Sequence, residues 1–205
     1  HCENARCLAH KFTLNSEECV GRSFAKHRSQ GTFSDMTHDP QPALAIVADA
    51  IGALLEDKDL AYANPSEQAI VGRLAVLLEG KFLGWSVNVE WNRRGDVAKR
   101  LNYPLHEEYP AREAAIRPDL IVHRVGKREN LLVVEAKKAA NNDFEGDIWK
   151  LKGMTDHAGA YGYAAGLHLV VDMLSGVVLR CDVYVDAAFH EGLTRWLRDR
   201  LPSPA

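Results

Sequence analysis

The sequence contains no apolar stretch that approaches the roughly 20 residues a transmembrane helix needs. Its first residues also lack the charged segment followed by an apolar one that marks a secretory signal. Both absences argue against insertion into a membrane and against export. We therefore expect a soluble, cytoplasmic protein that works away from membranes.

Cysteine is scarce, since the 205 residues include only four. That number argues against a disulfide framework in a chain of this length. Cys2, Cys7, Cys19 and His10 lie close together near the start, and four such ligands are enough for tetrahedral zinc. Neither a CxxC nor an HxxxH spacing occurs among them, which favours an irregular N-terminal arm over residues 1–40 and leaves a zinc site open.

Positive charge is not in excess, because the formal net charge is -3. A strongly basic chain would indicate a polyanionic partner, so charge alone does not predict nucleic-acid binding, although a local basic surface stays compatible with it. Phosphate-binding glycine loops, nucleophile elbows and histidine-metal fingers are also missing. ATP-driven chemistry and serine or cysteine hydrolysis are therefore disfavoured.

The spacing of apolar residues predicts alternating helices and strands. We predict helices around 44–55, 65–79, 144–157 and 189–197, strands at 85–92, 119–123, 131–138, 166–174 and 177–185, and a long loop over 93–117. Asn64 and Asp186 are expected to cap the second and the last helix. This order predicts an α/β domain over residues 41–205, with a mixed β-sheet flanked by α-helices.

Two predicted core strands, in DLIVH and LLVVEAKK, carry charge where a buried strand usually has apolar side chains. Glu135 and Lys137 share one face, since side chains two apart point the same way. A hairpin loop of three or five residues would place Asp119 opposite Glu135, and a loop of two or four would place it opposite Val134. Either way the two carboxylates are neighbours.

Neighbouring carboxylates destabilise a sheet and raise each other's pKa, so we expect a compensating charge. Mg²⁺ fits best, because it binds one or two carboxylates plus water and substrate phosphates. Beside it, the Lys137 ammonium could orient or help to deprotonate an attacking water. The alternative is a surface hairpin whose charges face water, because an ExK triplet alone is weak evidence for a metal site.

The segment Pro118-Asp119, followed sixteen residues after the aspartate by Glu135-Ala136-Lys137, resembles the PD-(D/E)XK nuclease superfamily. The core of that family, with a helix, three antiparallel strands, a helix and a strand, is similar to the predicted order over residues 64–174. The resemblance implies a restriction-endonuclease-like fold and a nuclease, endo or exo, that uses Mg²⁺, with Mn²⁺ as a substitute. Asp119, Glu135 and the Ala136 carbonyl would bind the metal, and Lys137 would act on the water.

The resemblance also implies a glutamate on the first core helix, and Glu67 matches. It precedes Leu74 by two turns and so should face the sheet. Its alternative role is a capping box with Asn64 as the N-cap. Glu79 points away from the apolar stripe and is the poorer candidate.

Further site residues follow from two stretches that resemble stand-alone family members. DFEGDIWKLKGMTDH suggests Asp147 and Lys150, although the frequency of i,i+3 charge pairs favours an exposed helical face for them. EWNRR suggests Glu90 and Arg93. A local basic groove for phosphates, or else solvated surface, is expected from the following residues: Arg93, Arg94, Lys99, Arg100, Lys138, Lys150 and Lys152. His123, toward the hairpin end, is read as a substrate contact or as a polar strand position.

The expected partner is nucleic acid, with DNA favoured over RNA by the habit of the family. The rival reading is a catalytically silent nuclease-like module that binds nucleic acid or protein. A third reading is a subunit that supplies nuclease activity within a larger complex. Assembly into a homodimer is left open.

Overall fold

The structure, a computed structural model, describes residues 36–104 and 111–204, and within these it does not describe the side chains of residues 111 and 112. Most of the predicted N-terminal arm, with Cys2, Cys7, His10 and Cys19, lies outside the described residues. Met36, near the end of that arm, packs into the core cluster.

The described part of the chain contains these helices: α1 (Gln41–Leu55), α2 (Lys58–Ala63), α3 (Glu67–Leu78), α4 (Glu145–Thr155) and α5 (Glu191–Arg198). All but the short α2 were predicted. Within the described ranges, no helix has both the length and the apolar character that crossing a membrane requires.

Two predicted helix caps are wrong. Asn64 ends α2 in a left-handed conformation (φ 45°), which asparagine tolerates. Ser66 caps α3 instead, because its hydroxyl accepts a hydrogen bond from the Ala69 N–H. At the last helix the cap is His190, whose Nδ1 accepts from the Leu193 N–H, while Asp186 lies in the preceding turn and accepts from the His157 N–H.

The strands are β1 (Ser86–Val89), β2 (Arg93–Arg94), β3 (Val97–Ala98), β4 (Arg100–Pro104), β5 (Ala111–Ala115), β6 (Leu120–Arg124), β7 (Glu129–Lys138), β8 (Ala165–Asp172), β9 (Val177–Val185) and β10 (Ala188–Phe189). Six of them form one sheet in the order β1-β6-β7-β8-β9-β10. Only the β7–β8 pair of this sheet is parallel, since α4 connects those two strands. The predicted mixed α/β architecture is confirmed.

The long loop predicted over 93–117 is wrong, because this segment forms two small hairpins, β2–β3 and β4–β5. Prolines and charges conceal the pattern, but Leu101 and Ile116 are buried against α4. The hairpin comes close to that helix at Gly153, where an added Cβ would lie 2.7 Å from Leu101 Cδ2. Trp149 Nε1 also donates to the Tyr103 carbonyl at 2.9 Å.

The sheet separates two apolar layers. On one face, α1, α3 and α5 pack against Leu120, Val122 and Val134. On the other face, α4 and the β4–β5 hairpin pack against Ile121 and Val133. Because side chains alternate along a strand, odd-numbered residues at this end of β7 face α4. The charged positions of the two central strands therefore lie beneath that helix.

Candidate active site

A β-bulge sets the relation between the two central carboxylates. The loop between β6 and β7 spans four residues, which alone would place Asp119 opposite Val134. The register instead shifts by one residue between Val122 and His123, so that Leu120 pairs with Val134. Extended by one residue beyond the strand, this register brings Asp119 opposite Glu135. The Asp119 carboxylate accepts a hydrogen bond from the Ala136 N–H at 2.8 Å.

Glu135 is completely buried beneath the floor of the site. Its Oε2 accepts a hydrogen bond from Lys150 Nζ, while Oε1 is buried without a hydrogen-bond partner. Burial raises the pKa of Glu135 well above its ordinary value, the charge of Asp119 raises it further, and the Lys150 ammonium only partly opposes both. Burial also raises the pKa of Asp119, against the effect of its hydrogen bond from Ala136.

Lys137 lies beside this pair and is held by two other carboxylates. Its Nζ is 3.1 Å from Asp147 Oδ2 and 3.7 Å from Glu67 Oε2. Burial lowers the pKa of Lys137, but the bonds and charges of these partners outweigh it, so that the pKa ends above its ordinary value. Lys137 is therefore protonated at neutral pH. This state is compatible with the predicted role of orienting a water, and the role of helping to deprotonate that water stays a prediction.

Asp147 and Lys150 enter the site from α4. They form the expected i,i+3 pair at 3.0 Å, but the favoured exposed face is wrong, since their side chains are only 7% and 18% exposed. Asp147 precedes Leu151 by four residues and Met154 by seven, so it shares the buried stripe of the helix. This spacing is visible in the sequence and could have placed the pair inward. Burial raises the pKa of Asp147, but the two lysines outweigh it and hold the pKa below its ordinary value.

Glu67 faces the same site from the other layer of the fold. It is the first residue of α3, which excludes the capping box with Asn64. Its Oε1 accepts hydrogen bonds from the Lys138 N–H at 3.1 Å and from Asn141 Nδ2 at 3.3 Å. The predicted orientation toward the sheet is confirmed.

His168 is a site neighbour that the sequence reading missed. It pairs with Glu135 across the parallel β7–β8 ladder and is fully buried. Neither ring nitrogen has a hydrogen-bond partner, and Nε2 lies 3.9 Å from Asp147 Oδ2. Burial lowers the pKa of His168 to about 4, so the ring is neutral at pH 7. The available signal was a single polar residue inside the apolar run AGLHLVV.

A cleft of about 1320 Å³ opens above these groups. Its lining includes Glu67, Asp119, Lys150, Lys138, Glu90 and Arg117. Lys138 Nζ is turned toward the Asn64 side-chain oxygen at 2.7 Å, and Glu90 accepts from Gln68 Nε2 at 3.0 Å. Glu90 and Lys138 thus line the cleft, and their part in substrate binding stays a prediction.

Arg93 and several other basic residues lie elsewhere. Arg93, Arg94 and Lys99 line a second cavity, and Lys152 lines a third. Arg100 forms an exposed ion pair with Glu113 at 2.7 Å. The seven basic residues grouped by the sequence therefore do not form one continuous groove.

No family model matches this chain. No curated protein matches it either.

The donors of the site suit a hard divalent cation. In residues 36–104 and 111–204 no three His, Cys, Asp or Glu side chains are arranged as a metal-binding group. Mg²⁺ does not require one, because it binds one or two carboxylates and keeps several waters. The unpartnered Oε1 of Glu135 and the Asp119 carboxylate are such donors, and the Ala136 carbonyl is a third oxygen.

The charge balance of the site also favours a divalent cation. Four carboxylates meet two ammonium groups here: Glu67, Asp119, Glu135 and Asp147, with Lys137 and Lys150. If all are ionised, two negative charges stay uncompensated, which is the charge that one divalent cation would neutralise.

Proposed function

We propose that this chain is a metal-dependent nuclease that hydrolyses phosphodiester bonds of nucleic acid. The observation that carries the proposal is the pair of neighbouring carboxylates Asp119 and Glu135. Asp119 and Lys150 line the cleft, and Glu135 lies buried beneath it in an ion pair with Lys150. DNA is the preferred substrate by resemblance to the PD-(D/E)XK nucleases. The order α3, β1, β6, β7, α4, β8 supports a restriction-endonuclease-like core.

Asp119, Glu135 and the Ala136 carbonyl would hold the ion. When bound, Mg²⁺ lowers the pKa of a coordinated water and polarises a phosphoryl oxygen. The hydrogen bond from the Ala136 N–H fixes one oxygen of Asp119, and the ion pair with Lys150 fixes one oxygen of Glu135. The second oxygen of each carboxylate is thereby oriented for binding.

The two lysines have different tasks. Lys137 is protonated, so it donates hydrogen bonds and opposes the negative charge that develops on the phosphoryl oxygens. Lys150 orients Glu135 and reduces the cost of burying that carboxylate. Asp147 contacts both ammonium groups, and Glu67 contacts Lys137 and the backbone of Lys138. These two acids are positioning residues.

Substrate contacts are expected at the rim of the cleft. Arg117 and Lys138 line it, and their charges suit phosphate oxygens of a nucleic-acid backbone. Such contacts place a strand in the cleft but do not read its sequence, so the proposal assigns no sequence preference.

A cleavage assay tests the proposal. Supercoiled, linear and single-stranded DNA and RNA are incubated with Mg²⁺, Mn²⁺ or EDTA, using the wild type and the variants Glu135→Gln and Lys137→Met. We expect metal-dependent cleavage that falls by about 100-fold or more in both variants. Glu113→Gln removes an exposed carboxylate and should cleave normally. Cleavage that persists in EDTA, or in both site variants, would contradict the assignment.

One observation favours a silent module instead. Glu135, Lys150, Asp147, Lys137 and Glu67 form a continuous chain of ion pairs, so the two lysines already compensate part of the carboxylate charge. Structural networks of this kind also perturb pKa values. Titration calorimetry with Mg²⁺ and Mn²⁺ separates the two functions. A chain that binds nucleic acid in EDTA but shows no metal binding is the silent module.

A further inference from the structure

A second cavity lies at the opposite end of the central hairpin from the candidate active site. It has a volume of about 470 Å³ and is lined by residues of the β6–β7 turn, the β2–β3 hairpin and the segment before β8. Its charged lining consists of Arg93, Arg94, Lys99, Arg124, Lys127 and Arg128, with no aspartate or glutamate. A lining of six cations without an acid is unexpected in a chain whose net charge is -3.

Lys99 gives the cavity its most unusual feature, a buried and unpaired ammonium. The residue is 4% exposed. Its Nζ lies 3.5 Å from the Tyr163 hydroxyl and within 6 Å of the ring centres of Tyr161 and Tyr163. Throughout the described ranges no carboxylate pairs with it. Burying a cation without an opposite charge is costly, so a bound anion would relieve a cost already present in the fold.

The other cations differ in how far they are neutralised. Arg124 and Lys127 both contact Glu129, so their charges are partly compensated. Arg93 and Arg128 donate to the backbone carbonyls of Asp96 and Gly159, which orients them without cancelling their charge. Arg94 lies over the Tyr161 ring at 5.8 Å.

The chemistry of the lining selects a phosphate group. Guanidinium groups bind phosphate oxygens through paired donors, and a lysine adds a point charge. Trp91 and Tyr161 also line the cavity, and aromatic faces beside a cationic groove suit a nucleotide base. The volume lies within the range of pockets that hold a small organic ligand.

We propose that this cavity binds a phosphate group carried by a nucleotide, with Lys99 and Arg94 as its principal contacts. Lys99 supplies a buried positive charge, and Arg94 supplies paired N–H donors at the edge of the cavity. His123, which also lines the cavity, is four residues from Asp119, or about 13 Å along a strand at about 3.3 Å per residue. The cavity is therefore separate from the candidate active site, and its occupancy does not depend on the proposed nuclease activity.

The test measures binding in EDTA, so that metal-dependent binding in the cleft does not contribute. Titration calorimetry uses pyrophosphate, a 5′-phosphorylated thymidine mononucleotide, a 5′-phosphorylated thymidine dinucleotide and its unphosphorylated counterpart. The wild type should bind the phosphorylated probes and pyrophosphate, and bind the unphosphorylated dinucleotide at least tenfold more weakly. A mononucleotide bound as tightly as the dinucleotide indicates a free nucleotide as the ligand, whereas a tighter dinucleotide indicates a nucleic-acid strand.

Two variants and one control locate the binding. Lys99→Met keeps the length of the buried side chain and removes its charge, and Arg94→Gln acts at the edge without disturbing the core. Each should weaken pyrophosphate binding by about tenfold or more. Arg100→Gln is the matched control, because Arg100 follows Lys99 directly but forms an exposed ion pair outside the cavity. Binding that is absent in the wild type, or equal in the wild type and both variants, would overturn the proposal. Because calorimetry in EDTA needs no turnover, an inactive protein that still binds pyrophosphate would contradict only the nuclease proposal.

Discussion

Lys137 Nζ lies 3.1 Å from Asp147 Oδ2, so the lysine of the candidate active site is held by the helix that covers the sheet. The other oxygen of the same carboxylate is 3.0 Å from Lys150. One residue of α4 thus orients both ammonium groups of the site. The position of α4 on the sheet consequently determines where the two ammonium groups of the candidate site lie.

If the proposed nuclease activity holds, replacement of Asp147 by asparagine should lower its turnover number by about 10- to 100-fold, as loss of outer positioning groups does around metal sites. The Michaelis constant should change little, because Asp147 orients groups that act on the reacting phosphate. The pH profile of turnover should also shift, since Asp147 raises the pKa of Lys137. Asp49→Asn, on the exposed face of α1, is the control. Full activity with an unchanged pH profile would exclude the positioning role.

Metal binding should stabilise the wild type and not the Glu135→Gln variant. At a free Mg²⁺ concentration of about 100 times the dissociation constant, the free energy of unfolding should rise by about 2.7 kcal/mol. Urea denaturation with Mg²⁺ and with EDTA measures this difference. Glu113→Gln should respond as the wild type does, because its carboxylate is exposed, pairs with Arg100 and does not line the cleft. Equal stabilisation of wild type and Glu135→Gln would remove Glu135 from the metal donors.

The packing of α4 against the β4–β5 hairpin should depend on Gly153. An added Cβ would lie 2.7 Å from Leu101 Cδ2 and 2.9 Å from Tyr103 Cβ, so Gly153→Ala should reduce the free energy of unfolding by about 1–3 kcal/mol. Gly72→Ala in α3 is a matched control, because nothing lies within 4 Å of its added Cβ. That substitution should stabilise the protein by about 0.5–1 kcal/mol through helix propensity. Thermal melts followed by circular dichroism measure whether the two substitutions change stability in opposite directions. If both stabilise the protein, the β4–β5 hairpin adapts freely to the added methyl group.

The buried ammonium of Lys99 should make stability depend on pH in the alkaline range. Burial lowers the pKa of Lys99 from 10.5 to about 8 in the folded protein. The unfolded chain therefore binds more protons between about pH 8 and 10.5, and the free energy of unfolding rises with pH there by up to about 1.4 kcal/mol per unit. Below about pH 8 Lys99 is protonated in both the folded and the unfolded state, so the stability gained at higher pH is lost. Arg94 stays charged throughout, but Tyr161 and Tyr163 oppose the increase near and above about pH 10, because burial raises the pKa of both phenols and the unfolded chain loses these protons first. The clearest increase is therefore expected between about pH 8 and 9.5.

Lys99→Met removes that titration. The variant should be more stable than the wild type at pH 7, and the difference should shrink as the pH rises toward 10.5. Urea denaturation of both proteins across this range gives the comparison. A difference that stays constant with pH would show that Lys99 titrates normally in the fold.

The strands and most helices could be predicted because their signals are local. Alternation in WSVNVEWN and apolar runs such as GLHLVVDML follow the chain itself, and each produced a strand close to its predicted position. The neighbourhood of Asp119 and Glu135 was predictable for the same reason, since strand alternation and a short hairpin leave few choices.

The features that the sequence did not predict depend on contacts between segments that lie far apart along the chain. The β4–β5 hairpin is stabilised by packing on α4, which no pattern within 93–117 reveals. Asp147 and Lys150 point inward because they lie on the buried stripe of α4. The prediction of an exposed face failed because most charge pairs on helices face solvent. The two helix-cap predictions failed because Asn64-Pro65 and Asp186 also suit turns, and in the structure they lie in turns.

The bulge between Val122 and His123 divides β6 into two parts with different registers. One part follows directly after Asp119, which lines the cleft, and the other part contains His123, which lines the second cavity. We therefore expect a change in the length of the β6–β7 turn to reshape the second cavity first, because the bulge lies between that turn and the carboxylate pair. Engineering of the turn should then alter the lining of the second cavity while the two carboxylates keep their alignment.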